Sequence, residues 1–124
     1  MNEDMKEIWF RKELSSQIQS RQLKRTFREL PASEKNNNYQ AGELVLARIH
    51  DGQGHTHGRF EAIFSIRVTG VYVRRIEELE ESVFRLSDAN SKEDLIQRLS
   101  VFYKRPYGAN IPVRVIDFEY ITLS

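Results

Sequence analysis

The sequence predicts a small α+β, mainly β protein: a closed or nearly closed β-barrel with short helices lying over the barrel ends. Three observations carry that expectation. The elements read in the order helix, basic strand, loop, strand hairpin, two short helices, strand, which suits a small barrel. Two segments, 60–73 and 113–121, alternate with the period of two that marks a strand. The 124 residues, 40% hydrophobic and 30% charged, fit a single domain over 1–124 with its core at about 8–121. A mixed α+β sheet is the alternative architecture.

Leu14 to Leu23 places Leu14, Ile18 and then Gln22 or Leu23 on one side, the spacing of a short amphipathic helix beginning near Arg11. Trp9 and Phe10, just before it, read as core or as a lid for the barrel end. Ser20 to Arg28 then carries cations and a hydroxyl where the helix hands over to a strand. There Gln22, Lys24, Thr26 and Arg28 are expected on one face, with Leu23 and Phe27 on the other. A charged edge strand that resists aggregation gives the same pattern. Residues 31–40 are polar and Asn-rich, a loop suited to a pocket mouth.

Glu43 to Ile49 and Phe60 to Val73 read as strands, joined by the glycine-rich connection Asp51 to Gly58. Gly70 marks a bulge or bend. Ile76 to Glu81 is one acidic turn of helix. Ser91 can cap a better helix through its hydroxyl, with Leu95, Leu99 and Phe102 at helical spacing, and Pro106 and Gly108 end it. Val113 to Ile121 closes the chain as a strand.

The net charge of +1 is unevenly distributed. Six basic residues stand between Arg11 and Arg28 against Glu13 alone, whereas Glu77 to Glu81 holds four acids. Thirteen of the 19 cations are arginine, whose planar guanidinium suits phosphate contacts and base stacking. A chain this near neutrality is not a strong non-specific nucleic-acid binder, so such a ligand is met at a local site. The absence of cysteine excludes disulfides, thiolate nucleophiles and sulfur-ligated zinc. No apolar run reaches bilayer length, and MNEDMKEIWF places acids where a secretory leader is positive, so a cytoplasmic protein without membrane contact is expected.

Several constellations admit two readings. His50, His55 and His57 could chelate, but with Asp51 alone as a carboxylate at ligand spacing the glycine-rich tip reads as an exposed loop, so neither metal nor cofactor is expected. Arg67 suits a phosphate contact or a pair with Asp117 or Glu119. In YKRPY, Tyr103, Lys104, Arg105 and Tyr107 interleave aromatic and basic groups as in single-strand binding, or as in a helix end whose cations complement the dipole.

The helix, the segment ending Thr26-x-Arg28, Ala41-Gly42-Glu43-Leu44-Val45, the strand 62–71, Ser91-x-x-Asp94-Leu95 leading to Tyr103, and Val115-Ile116-Asp117-Phe118-Glu119 together resemble the ASCH domain family, one of the PUA-like barrels. The resemblance implies a groove for RNA or a modified nucleoside, expected to be lined by Lys24, Thr26, Arg28, Arg67 and Asp88, with Arg21, Tyr103, Lys104 and Arg105 as further ligand-binding residues. One branch of similar length is the bacterial acetylcytidine amidohydrolases. That likeness implies Thr26 as nucleophile, Lys24 as base and Asp88 as proton donor, although the family's lysine position falls here on Leu23 or Gln22 and Asp88 stands for a glutamate. Further alternatives are a single-strand ribonuclease and an interaction module without a small ligand. The sequence leaves the enzymatic question and the oligomeric state open.

Overall fold

In a computed structural model, residues 6–30, 39–50 and 60–121 are described. Their strands are β1 (Lys6–Arg11), β2 (Arg25–Arg28), β3 (Leu44–His50), β4 (Phe60–Arg75) and β5 (Pro112–Tyr120). The α-helices are α1 (Ser15–Gln19) and α2 (Lys92–Tyr103), and 3-10 turns occupy Lys12–Leu14, Ile76–Glu78 and Glu81–Phe84. The strands form one sheet in the order β1-β3-β4-β5-β2, parallel at β1–β3 and antiparallel elsewhere. This is the small α+β fold expected. No helix among the described residues is long and apolar enough to cross a membrane.

The sheet separates two apolar clusters. On one face, Ile8 and Phe10 of β1, Val45, Ala47 and Ile49 of β3, Ile66 and Val68 of β4, and Ile116 and Phe118 of β5 pack with Leu14, Ile18 and Leu23. On the other, Phe27, Val113 and Val115 pack under α2 and the 3-10 turns through Ile76, Leu79, Phe84, Leu95 and Leu99. The alternation of β5 therefore feeds both clusters, which is why four consecutive residues, Val113 to Ile116, are buried. The bend expected at Gly70 is a register shift between Val68 and Gly70 against β5. One extra residue reverses the alternation, so Val68 and Val71 serve the same cluster.

One element was not assigned from the sequence and one local expectation is corrected. The segment before Arg11 is a strand: Ile8 and Phe10 are both buried, with Trp9 only partly so between them, a period of two. The helix expected over 14–23 is a 3-10 turn followed by the five residues of α1. It stops where Ser20 Oγ donates to the Ser16 carbonyl at 2.8 Å and Arg21 takes a left-handed φ of 60°. β2 consequently starts at Arg25, and the expected single face from Gln22 to Arg28 applies only from there onward. Leu23 packs with Ile8 and Phe10, and Phe27 lies in the cluster under α2.

Candidate ligand site at the β2 edge

β2 is an outer strand, and its four residues divide their roles by parity. Thr26 and Arg28 sit opposite Ile116 and Arg114 of β5, on the Ile116 face. Thr26 is 0% exposed. Its hydroxyl donates to Asp88 Oδ2 in a short hydrogen bond and accepts from Arg28 Nε at 3.1 Å. The other carboxylate oxygen of Asp88 accepts from the Phe27 amide at 3.3 Å. Asp88 thus occupies the outer edge of β2, where a further strand would otherwise donate its ladder. Burial pushes its carboxyl above the usual carboxylate range, against the opposing effects of the Arg28 charge and the Thr26 and Phe27 donors.

Arg28 reaches across to the opposite edge of the sheet. Its guanidinium donates to the Trp9 carbonyl of β1 at 3.0 Å and lies 5.1 Å from the centre of the Phe10 ring. Tyr39 caps the carbonyl two residues earlier, donating its hydroxyl to the Glu7 carbonyl at 2.6 Å. Its phenol is held above the ordinary tyrosine value, chiefly by burial. Arg114, 6% exposed, stands across from Arg28, 5.7 Å from the Tyr39 ring, and donates to the Glu29 carbonyl at 3.1 Å. Burial, aided by the like charge of Arg28, lowers its pKa.

The remaining expected residues lie around this cluster in different ways. Lys24 precedes β2 and is exposed, while the hydroxyl of Thr26 is taken by Asp88 and Arg28. Arg21 is also exposed. Arg67 donates to the Gly42 carbonyl at 3.1 Å and approaches Glu119 at 3.9 Å, both side chains partly exposed. Tyr103 accepts from the Glu29 amide at 3.4 Å, which ties the end of α2 to the end of β2. Lys104 forms the left-handed cap of α2 with φ of 58°. Arg105 pairs with Glu29 and donates to the Tyr107 hydroxyl at 3.1 Å, which itself donates to Glu29 at 2.8 Å. Burial is the main cause that pushes Tyr107 to about 12.

Tyr39, Glu29 and Arg114 belong to the cluster without having been singled out in the sequence. Only Arg114 carried a signal, as the one charge within the apolar run Val113 to Ile116. No group of three or more metal-ligating side chains occurs among the described residues; His55 and His57 lie outside them. A shallow hollow of about 670 Å³ beside α1, lined by Lys12, Glu13, Ser15, Ser16, Gln19 and Ser20, includes none of the cluster.

The chain is similar to a crystal structure of a protein from Enterococcus faecalis V583 described by the family model DUF984, with a TM-score of 0.62 and 18% identity over 97% of this chain and 82% of that one. It is also similar to the crystal structure of an ASCH domain from Lactobacillus crispatus JV V101, with a TM-score of 0.54 and 10% identity over 86% of this chain and 69% of that one. No protein-family model and no curated protein matches the chain. The likenesses establish the fold: this chain is built as an ASCH domain is.

Proposed function

We propose that the chain binds RNA or a modified nucleoside at the β2 edge, through Thr26, Arg28, Asp88 and Arg114. The reading is carried by the pairing of Arg28 with Arg114 on one face of the sheet. Like charges opposite one another weaken a strand pair, and an anionic or acceptor-rich ligand relieves that repulsion. Tyr103, only partly buried and tied to the end of β2 through the Glu29 amide, adds a ring suited to a base. Asp88, bonded to the Thr26 hydroxyl and the Phe27 amide, brings a carboxyl group to the same edge.

One observation favours hydrolysis of acetylcytidine as a second reading. The Thr26 hydroxyl donates to Asp88, so a carboxylate base touches the candidate nucleophile, a role assigned to Lys24 from the sequence. Full burial of Thr26 requires the strand edge to open before an acetamide carbonyl reaches it.

Titration with a short single-stranded RNA over a range of salt tests binding. Affinity falls with salt and weakens in Arg28→Lys, which keeps the charge and loses the planar fork. If neither RNA nor nucleoside binds at micromolar concentration, the reading fails. Release of cytidine from acetylcytidine that disappears in Thr26→Val moves the assignment to the hydrolase.

A further inference from the structure

We infer that Glu29 is a positioning residue of the β2-edge site: its carboxylate, anchored at the end of α2, fixes the backbone that orients Arg114 and Tyr103; this rests on the binding reading above. The amide, carbonyl and carboxylate of Glu29 each have a partner. Its amide donates to the Tyr103 hydroxyl at 3.4 Å, and its carbonyl accepts from Arg114 Nε at 3.1 Å. One carboxylate oxygen accepts both from the Tyr107 hydroxyl at 2.8 Å and from Arg105. Parity explains how a single residue serves both faces of the sheet. Phe27 lies in the cluster under α2, so Glu29, two residues on, turns its side chain towards that layer, whereas Arg28 and Arg114 stand on the other face. The main chain of Glu29 therefore meets the site and its side chain meets the helix end.

The anchor for that carboxylate is built on α2. Lys104 turns the chain back through its left-handed φ of 58°, and the Arg105 amide then donates to the Ser100 carbonyl at 3.2 Å. The Tyr107 amide donates to Ser100 Oγ at 3.1 Å, and the Tyr107 ring packs into the cluster beneath the helix. Arg105 in turn lies 5.0 Å from the centre of that ring and donates to its hydroxyl at 3.1 Å, so both donors converge on Glu29 from a fixed support. An ion pair whose side chains are 56% and 29% exposed contributes little to stability, and its consequence is geometric. Without the anchor, the Glu29 backbone and the two groups bonded to it gain freedom that binding must then remove.

Charge and position give opposite signs for one substitution. Glu29→Gln removes an anion beside the cationic site and releases Arg105 from its pair, so the field alone tightens binding of a six-nucleotide single-stranded RNA. Positioning loosens it by about tenfold, the worth of a hydrogen bond to a charged group. Tyr107→Phe keeps every charge and the ring, and weakens the RNA about fivefold because Arg105 still holds the carboxylate; it decides the case should Glu29→Gln fail to fold. In both variants the Arg114 Nε–H, followed by nuclear magnetic resonance without any ligand, exchanges with solvent faster than in the wild type. Ser91→Ala, which weakens the far end of the same helix, lowers the melting temperature and leaves RNA affinity unchanged. An Arg114 signal that does not move, or RNA bound by either Glu29→Gln or Tyr107→Phe as tightly as by the wild type, overturns the positioning role and leaves the site reading standing. Equal weakening by Ser91→Ala reduces the effect to helix stability and overturns the role as well. Wild-type protein that binds neither RNA nor nucleoside overturns both.

Discussion

Arg28 ties the two outer strands of the sheet together, donating from β2 to the Trp9 carbonyl of β1 at 3.0 Å. A single side chain thus does at this point what a further pair of ladder bonds does in a closed barrel. Its contacts to Thr26 and Phe10 hold the guanidinium in place from both ends.

Removing that strut weakens the whole sheet. Arg28→Ala loses about 1.5 to 3 kcal/mol, the range for hydrogen bonds made by a charged donor. Urea unfolding followed by circular dichroism measures the loss. A variant as stable as the wild type would show that the edges are joined independently of Arg28.

Asp88 makes stability depend on pH in a defined direction. Its folded pKa lies above the unfolded value of about 3.9, so the folded state holds the proton longer. As pH rises from about 4, the unfolded chain ionises first and gains stability relative to the fold. The disadvantage grows until the folded pKa is passed and is constant beyond it. The unfolding free energy of the wild type minus that of Asp88→Asn therefore falls across this window and then levels. A difference that rises with pH contradicts a burial-dominated carboxyl.

Ser91 accepts from the Asp94 amide at 3.1 Å and so caps α2. Ser91→Ala costs about 1 kcal/mol, whereas Ser91→Asp, another good cap, costs little. Thermal unfolding of the two variants distinguishes a cap from an ordinary surface serine.

That cap was legible because its chemistry is local: a hydroxyl three residues before an amide. So were β3, β4 and the shift at Gly70, whose patterns need only nearest neighbours. β1 was less so, because its parallel partner β3 is remote in sequence and Ile8-Trp9-Phe10 is too short to separate strand from helix by period alone. In the candidate site, Thr26, Arg28 and Asp88 were named and are joined by hydrogen bonds. The places of Lys24 and Arg114 were hidden for one reason. Which side a residue faces depends on where β2 begins and on what stands across from it, and no spacing within 20–28 encodes either.

The bond between Thr26 and Asp88 can be measured directly. Thr26→Val keeps the shape but leaves Asp88 Oδ2 without its donor and Arg28 Nε without its acceptor, both in a part-buried setting. Asp88→Asn alone disturbs the same bond from the other side, while its amide oxygen still accepts from Phe27. If the two groups form one unit, the double variant is less destabilised than the sum of the singles, with a coupling of about 1 to 2 kcal/mol. Additive losses mean that Asp88 is held chiefly by the Phe27 amide and the Arg28 charge. In that case the hydroxyl of Thr26 is available to a ligand rather than bound to the carboxyl.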